Sequence, residues 1–388
     1  MEFLFFLSLA ILVYTYLGYG LLITVLAKMK GKPEEAPLPE PLPFVSVIVP
    51  CFNEGPDLRS KVHNTLALDY PEDRRELIFI CDGSDDGSEA IPASFPEVTT
   101  LFSPERRGKL AAMKRAVEYA KGEILVFCDA NTVLNPEAIK ALVRPYADPQ
   151  VGAVTGEKYI LVDEGDAASS KGEGVYWKYE SFLKRMDAQW NTLVGGAGEL
   201  MSYRRSCFEF LPDDTILDDF MLTMKIAEKG NRVLYIPEAR ASEYASANVE
   251  EELKRKIRIA AGGWQSISRL PLAANPFHDF KLWFQYVSHR VLRWTLAPFL
   301  LPVLLVTNAL LVVQGAGWGY TLFFIGQLAF YGLAFLGYRL RNAPVSIKGF
   351  FVPYYFYVMN YAAVLGFFRW LKKAQPATWE RAKRAGGG

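Results

Sequence analysis

The sequence predicts an α/β domain with a mostly parallel sheet, joined to an α-helical membrane region. Two observations support this fold class. The short apolar runs 44–49, 77–81 and 124–128 are separated by helical patterns such as 109–121, as in parallel sheets with helices on both faces. Uncharged apolar stretches near the two ends of the chain are long enough to cross a hydrocarbon core of about 30 Å.

The composition excludes several broad classes of protein. A length of 388 residues suggests about two structural units. The 43 Lys and Arg residues nearly balance the 42 Asp and Glu residues, so no nucleic-acid partner is expected. A hydrophobic content of 51% argues against disorder. The four widely spaced cysteines contain no CxxC pair, which favours buried thiols over a disulfide scaffold or a zinc site.

The N-terminal part is predicted to be a membrane anchor followed by a spacer. Residues 1–32 form the anchor, because 3–27 carry no charge and basic residues follow at 28, 30 and 32. Basic flanks stay inside, which puts the end of the anchor in the cytoplasm. A cleaved signal peptide is the competing interpretation, but its basic residues would precede the apolar segment. The linker 33–43 holds five prolines and is expected to be extended.

The rest of the chain is divided by composition. It is predicted to comprise a domain over 44–275, an interfacial amphipathic helix over 276–293, transmembrane helices over 294–375 and a cytoplasmic basic tail over 376–388. For 276–293, an ordinary amphipathic helix is nearly as good an interpretation. We expect a multi-pass protein of the cell (inner or plasma) membrane with the large domain in the cytoplasm.

The uncharged stretches after the domain raise a question of topology. There are three of them, 294–313, 317–338 and 349–368. Three crossings would put the C-terminus outside, whereas the basic residues after position 368 favour the inside. The last stretch contains Pro353, Asn360 and four tyrosines, so it is the one predicted to be re-entrant or interfacial.

Acidic residues follow two of the predicted strands, where an open α/β sheet has its ligand crevice. Asp82 opens the turn 82–88, which could surround a nucleoside or be a tight acidic turn without a ligand. Asp129 and Asn131 could offer oxygen ligands to Mg²⁺ or Mn²⁺. Asp129 could equally cap the following helix.

Two further groups of charge have open interpretations. Arg106, Arg107 and Lys109 flank Gly108 near a helix start, which suits a diphosphate or a solvated basic patch. The pair Asp218-Asp219 precedes a helical stretch. It is either a favourable charge at a helix N-terminus or the source of a general base.

Taken in chain order, these pieces resemble a known family. The ordered motifs are 45–54 (VSVIVPCFNE), 81–84 (CDGS), Gly108-Lys109, 129–131 (DAN), 203–205 (YRR) and Asp218-Asp219. They are similar to those of family 2 glycosyltransferases, which have the GT-A fold, and the resemblance covers about residues 44–270. The membrane segments and 377–379 (ATW) resemble the membrane-bound branch that contains poly-N-acetylglucosamine, hyaluronan and cellulose synthases.

The resemblance implies roles for individual residues. It implies a UDP-sugar donor near Asn53, Glu54, Asp82, Lys109, Arg255 and Arg258. It implies a Mg²⁺ or Mn²⁺ ion at Asp129, with Asn131 where the family has a second acid. It makes Asp219 the base, supported by Asp218. In the Gln-x-x-Arg-Trp motif of the processive branch, Arg255 replaces Gln, Arg258 is kept and Ile259 replaces the Trp that stacks on the acceptor sugar.

The implied function is inverting transfer from a UDP-sugar to a growing polysaccharide. The alternative is a single addition to a lipid such as ceramide, diacylglycerol or a polyprenyl phosphate, which the missing Trp favours. A membrane-anchored sugar-nucleotide sensor is a third, non-enzymatic hypothesis. The expected partners are the donor, the acceptor and membrane lipids, with a homo-oligomer or a partner subunit also considered.

Overall fold

The computed structural model describes residues 1–31, 36–161, 168–244, 249–340 and 348–376. The side chains of 56, 168–175, 249–251 and 348–350 are not described. Part of the predicted linker, most of the basic tail and the 377–379 motif therefore lie outside the described residues.

A mixed sheet forms the centre of the large domain. In the described residues its strands are β1 (Val45–Cys51), β2 (Arg75–Asp82), β3 (Val98–Ser103), β4 (Ile124–Cys128), β5 (Val133–Leu134), β6 (Val151–Leu161), β7 (Leu200–Arg204) and β8 (Arg232–Tyr244). Their order in the sheet is β3-β2-β1-β4-β7-β6-β8-β5. The pairs β1/β2, β1/β4, β2/β3 and β6/β8 are parallel, so the predicted mostly parallel α/β sheet is confirmed.

Helices surround the sheet and extend beyond it. The longer ones described are α1 (Glu2–Lys30), α2 (Gly55–Leu66), α3 (Lys109–Tyr119), α4 (Ala138–Val143), α5 (Ala168–Trp190), α6 (Asp218–Glu228), α7 (Val249–Arg269), α8 (Phe280–Tyr286), α9 (Leu296–Val313), α10 (Trp318–Arg339) and α11 (Lys348–Leu371). α1 contains a π-helical turn at Tyr14–Gly18, and α8 continues through Val287–Val291 and Leu292–Trp294.

The sheet separates two hydrophobic cores. Side chains of β1 alternate between them, as the two-residue period of a strand requires. Val47 and Val49 point into the core that contains Leu58 of α2. Ile48 points into the opposite core, which contains Met113 of α3. Because both faces are covered, the strand is apolar at nearly every position, which is why the run was recognisable in the sequence.

Within the described residues, four helices are long and apolar enough to cross a membrane: Glu2–Lys30, Leu296–Val313, Trp318–Arg339 and Phe351–Leu371. The third is the least covered, with Trp318 81% and Leu322 60% exposed. Exposed apolar side chains on a helix of this length are expected to contact lipid rather than water.

The first helix packs directly against the large domain. Tyr19 and Ile23 of α1 are fully buried against Leu183 of α5. The Tyr19 hydroxyl donates a hydrogen bond to the buried carboxylate of Asp187. The same carboxylate lies 2.5 Å from Nδ1 of His289. One buried acid therefore connects α1, α5 and the extension of α8.

The segment predicted as an interfacial helix, 276–293, contains α8 and most of its extension. Leu282 and Tyr286 pack into the core of the α/β domain, and His289 is fully buried. This packing is that of an ordinary amphipathic helix on a protein core. The placement at a membrane surface stays a prediction.

The last helix lies beside α7 along much of its length. Tyr354 of α11 packs near Leu253, and the rings of Trp264 and Trp370 stack with centroids 5.5 Å apart. A β-carbon on Gly366 would lie 2.4 Å from Cβ of Ala260, so the small residue permits the close approach of the two helices.

α11 also contacts two of the other apolar helices near their ends. Its Tyr354 ring is 6.2 Å from Tyr338, in the last turn of α10. Its Phe367 ring is 5.5 Å from Phe299, in the first turn of α9. α11 thus extends from the end of α10 to the start of α9.

Candidate active site

A cavity of about 1910 Å³ connects the sheet edge with the apolar helices. Six of the ten site residues predicted from the sequence line it, namely Lys109, Asp129, Asp218, Asp219, Arg255 and Arg258. The other four, Asn53, Glu54, Asp82 and Asn131, are not among its lining residues. The surroundings of Asn53, Glu54 and Asp82 are described below.

Lys109 and Asp129 form an ion pair at the end of the sheet. Asp129 directly follows β4 and Lys109 begins α3, with Gly108 before it at φ 94°. The Lys109 Nζ lies 2.6 Å from Oδ1 of Asp129. Burial alone would lower the pKa of Lys109, but the Asp129, Asp218 and Asp219 carboxylates raise it above its usual value. The lysine is therefore a permanent cation in the cavity.

Asp82 fixes the loop in front of Lys109. Its Oδ2 accepts hydrogen bonds from the backbone amides of Arg107 (2.9 Å) and Gly108 (2.6 Å). Its Oδ1 accepts one from Arg115 at 2.7 Å. Both oxygens of this buried carboxylate therefore have partners in the protein. The predicted contact of Asp82 with a UDP-sugar is not tested by this arrangement.

Asn53 connects the loops that follow β1 and β2. It has a left-handed backbone (φ 53°), and its Nδ2 donates to Oδ1 of Asp85 at 2.8 Å. Next to it, the Arg106 guanidinium lies 3.7 Å above the centre of the Phe52 ring. Glu54 is buried directly after Asn53. These contacts hold the two loops together beside the sheet edge.

Asp219 is the acid whose surroundings most favour a proton acceptor. It lies at the start of α6, where its Oδ1 accepts from the backbone N–H of Phe220 at 2.7 Å. Burial, assisted by the neighbouring Asp218 carboxylate, raises the pKa of Asp219 to about 6. A carboxylate with this pKa is ionised at neutral pH and is more basic than an ordinary aspartate.

Sequence reasoning missed a glycine-rich segment opposite Asp219. A β-carbon on Gly198 would lie 2.9 Å from Oδ2 of Asp219. The following Glu199 lies 2.5 Å from Nζ of the buried Lys158, which also pairs with Glu243. The glycines at 195, 196 and 198 were a visible signal. The pairing of Lys158 with Glu199 depends on tertiary packing, so the sequence contained no signal for it.

Arg258 and Arg255 enter the cavity from α7. Arg258 Nη1 donates to the Ile216 carbonyl at 3.3 Å. Burial lowers the pKa of Arg258, while Asp218 and Asp219 act in the opposite direction. Arg255 is paired with Glu252 of the same helix, with Nε 2.9 Å from Oε2. Ile259, at the position of the expected acceptor-stacking Trp, also lines the cavity.

The far half of the cavity is apolar. It is lined by side chains of α1, α9, α10 and α11, including Leu12, Leu17, Leu301, Leu304, Phe323, Phe330, Phe356 and Met359. Among the polar residues there, Tyr16 donates to Oδ1 of Asn360 at 2.5 Å. The reacting end and this apolar end belong to one continuous space.

The residues present fit a divalent ion only if a ligand completes its coordination. The described residues contain no cluster of three His, Cys, Asp or Glu side chains that could hold a metal. The Asp129 side chain is 25% exposed in the cavity, with Asn131 two residues on. Mg²⁺ is commonly bound by one or two carboxylates together with substrate phosphates. The Asp129 carboxylate therefore suits an ion that binds together with a diphosphate, whereas the Asn131 amide is not among the residues that line the cavity.

This fold and this arrangement of acids are those that the sequence motifs predict for a GT-A glycosyltransferase domain. Residues 46–211 match the sequence model of "Glycosyl transferase family 2". These residues therefore form a family 2 glycosyltransferase domain, as the motifs predicted.

Curated relatives have related names. The chain is 26% identical over 316 residues to an N-acetylglucosaminyltransferase of Rhizobium sp. (strain N33), covering 75% of this chain and 69% of the relative. It is 25% identical over 236 residues to a poly-beta-1,6-N-acetyl-D-glucosamine synthase of Staphylococcus aureus (strain COL), covering 58% of this chain and 56% of the relative.

A solved structure shares the fold over nearly the whole chain. It is the mannosyltransferase PcManGT from Pyrobaculum calidifontis, determined in complex with GDP-Man and Mn²⁺. The TM-score is 0.72 at 23% identity, with 96% of this chain and 99% of that chain covered. The similarity therefore includes the apolar helices as well as the α/β domain.

Proposed function

We propose that the chain is a membrane-embedded, inverting glycosyltransferase that transfers one sugar from a UDP-sugar to a lipid acceptor. The observation that carries this proposal is the single cavity, which joins Asp219 and Lys109 to the apolar sides of α1, α9, α10 and α11. A lipid can place its chain between these helices and its head group at Asp219.

The donor diphosphate is held by cations at the sheet edge. Lys109 and Arg258 supply fixed positive charge, and both line the cavity beside Asp129. A divalent ion on Asp129 and Asn131, Mg²⁺ or Mn²⁺, would supply further positive charge against the leaving diphosphate. The structural neighbour was solved with GDP-Man, so GDP-mannose belongs beside the UDP-sugars in any donor test.

Asp219 acts as the general base. As the bond between the sugar and the diphosphate breaks, the acceptor oxygen bonds to the anomeric carbon and its proton passes to the Asp219 carboxylate. The raised pKa of Asp219, about 6, makes it a better base while leaving it ionised at pH 7. Attack from the face opposite the leaving group inverts the anomeric centre.

The lining of the far half favours a hydrocarbon chain over a polysaccharide. A sugar polymer there would lose its water without gaining partners for most of its hydroxyls, which is unfavourable. The polar groups of Tyr16 and Asn360 already have partners, because Tyr16 donates to Asn360 and Asn360 donates to the Phe356 carbonyl. Ile259, in place of a stacking Trp, also removes the platform on which a growing chain would rest.

The second candidate is a polysaccharide synthase. The names of the curated relatives, N-acetylglucosaminyltransferase and poly-beta-1,6-N-acetyl-D-glucosamine synthase, favour it.

One experiment separates the two candidates. The full chain in lipid nanodiscs receives radiolabelled UDP-sugars or GDP-mannose with Mg²⁺ or Mn²⁺. We expect the label in the organic phase, in products extended by one sugar. Long water-soluble chains would support the synthase, and the absence of nucleotide release with every donor would overturn both.

For the membrane arrangement we propose three crossings of the inner or plasma membrane, with α11 re-entrant from the cytoplasmic side, since its Phe356 ring packs 5.7 Å from Phe330 in the middle of α10. Its contacts with the last turn of α10 and the first turn of α9 support this, because those two ends lie on the same side of a helical hairpin. The C-terminus is then on the same side as the catalytic domain, in agreement with its basic residues.

A further inference from the structure

A second group of charges lines the same cavity, between the reacting residues and the apolar half. It consists of Glu180 and Lys184 from α5, and Arg290 and Arg293 from the extension of α8. We call these four residues the anchor cluster. Nothing in the donor site uses them.

The anchor cluster carries more positive than negative charge. Nη2 of Arg290 lies 2.5 Å from Oε1 of Glu180, and Nη1 of Arg293 lies 3.3 Å from Oε2. One carboxylate, 3% exposed, therefore serves two guanidinium groups. The Nε and Nη2 atoms of Arg293 are buried and make no hydrogen bond in the described part of the chain.

Lys184 adds a third cation without an anionic partner of its own. It is 5% exposed, and its ammonium lies 5.7 Å from the centre of the Trp177 ring. Within the residues that the structure describes, it forms no ion pair or hydrogen bond. Burial lowers the pKa of Lys184, and the Glu180 carboxylate opposes that effect. A buried cation of this kind is unfavourable until an anion reaches it.

The anchor cluster lies beside the catalytic residues on one side and beside α1 on the other. Nε of Arg290 donates to the Val194 carbonyl at 3.2 Å, next to the glycine-rich segment that borders Asp219. Arg293 lies 5.5 Å from the centre of the Tyr179 ring, whose hydroxyl donates to the Tyr16 carbonyl of α1 at 2.7 Å.

We propose that the anchor cluster binds a phosphate group of the acceptor, which is a phosphate-bearing lipid with a free hydroxyl. Guanidinium groups match phosphate oxygens in geometry and charge. The hydrocarbon chain occupies the apolar half, and the hydroxyl reaches Asp219. The anchoring phosphate keeps all its bonds during transfer, since the bonds that change are those of the anomeric carbon and the acceptor O–H. This inference rests on the proposed function.

A binding experiment tests the anchor cluster without catalysis. The full chain in nanodiscs is titrated with dodecyl phosphate, with inorganic phosphate and with dodecanol, and Trp fluorescence is followed. Dodecyl phosphate should bind more tightly than either fragment. Lys184→Gln should weaken its binding about tenfold, as expected for a hydrogen bond to a charged group. The matched control is Lys178→Gln, an exposed lysine of the same helix.

Equal binding of inorganic phosphate and dodecyl phosphate would show a site for free phosphate and overturn the lipid assignment. Equal binding of dodecyl phosphate to the wild type and to Lys184→Gln would overturn the role of the cluster.

Thermal unfolding separates binding from folding. The ligand-free Lys184→Gln protein should be at least as stable as the wild type, because a buried unpaired cation is removed. A loss of stability together with unchanged binding would make Lys184 structural and overturn the inference. Arg293→Gln, titrated in the same way, should also weaken dodecyl phosphate binding.

Failure of the proposed function can be distinguished from failure of the anchor-cluster inference. Nucleotide release that depends on Asp219, with unaltered dodecyl phosphate binding in both anchor variants, would refute the anchor cluster and leave the transferase. Phosphate-dependent lipid binding without turnover of any donor would refute the transferase and leave the anchor cluster.

Discussion

Gly198 leaves the space that the carboxylate of Asp219 occupies. A β-carbon at Gly198 would lie 2.9 Å from Oδ2 of Asp219 and 3.3 Å from its Cγ. We expect Gly198→Ala to displace the base and to lower kcat by about 10²-fold, the effect of a misplacement of about 1 Å. Initial rates with saturating donor measure this.

The matched control is Gly332→Ala in α10, where a β-carbon meets nothing within 4 Å. Its kcat should equal that of the wild type. An unchanged kcat in Gly198→Ala would contradict the assignment of Asp219 as the base.

Asp219→Asn should lower transfer by about 10²- to 10⁴-fold, because the amide cannot accept the acceptor proton. Donor affinity should change little, since Lys109 and Arg258 remain. Product formation and equilibrium binding of UDP measure the two effects. Asp213→Asn, an acid of the same cavity with a side chain that is 78% exposed, is the control. Loss of UDP binding in Asp219→Asn would instead indicate a structural role.

The pH profile should report the raised pKa of Asp219. A base must be ionised, so kcat/KM should fall about tenfold per pH unit below about pH 6, rather than below about 4 as for an ordinary aspartate. Asp218→Asn removes a neighbouring negative charge and should move the acid limb to lower pH. Identical acid limbs in the wild type and Asp218→Asn would contradict the coupling of the two acids.

Asp129→Asn should raise the Mn²⁺ concentration for half-maximal activity at least about tenfold, because it removes the one carboxylate assigned to the ion. Activity measured against free Mn²⁺ at fixed donor concentration checks this. Asp73→Asn replaces an acid that is 82% exposed and should behave like the wild type. A metal dependence that is the same in all three proteins would place the ion elsewhere.

The three-crossing arrangement predicts opposite labelling of two exposed alanines. In intact cells, a membrane-impermeant maleimide should modify Ala316→Cys, between α9 and α10, and not Ala374→Cys, after α11. Both variants are made in a Cys207→Ala background, because Cys207 is only partly buried and could itself be labelled. The other cysteines, Cys51, Cys81 and Cys128, are buried. Labelling of Ala374→Cys before permeabilisation would mean that α11 crosses the membrane.

The sequence predicted those parts of the fold that carry their signal locally. The apolar runs at 44–49, 77–81 and 124–128 correspond to β1, β2 and β4, because strands covered on both faces are apolar throughout. Asp82, the last residue of β2, and Asp129, directly after β4, were predicted at the sheet edge because the ligand crevice of such a sheet lies at the carboxyl ends of its strands. The buried packing of 276–293 was harder to predict, since amphipathicity alone does not distinguish a protein core from a lipid surface.

The charged groups that remained undetected come together only through tertiary packing. Glu180 and Arg293 lie more than one hundred residues apart and meet because α5 and the extension of α8 pack side by side. No motif marks either residue. Asp82 was recognised, but its bonds to Arg107 and Gly108 depend on how the loop before α3 folds back.

The carboxylate of Asp187, shared between Tyr19 and His289, bears on how the protein can be handled. A chain shortened to begin after Gly31 would remove the Tyr19 hydrogen bond from this acid, leaving His289 as a partner, and would uncover the side of α5 around Leu183. Such a fragment should aggregate in water. The protein should therefore be purified with its first thirty residues present and in detergent or lipid throughout.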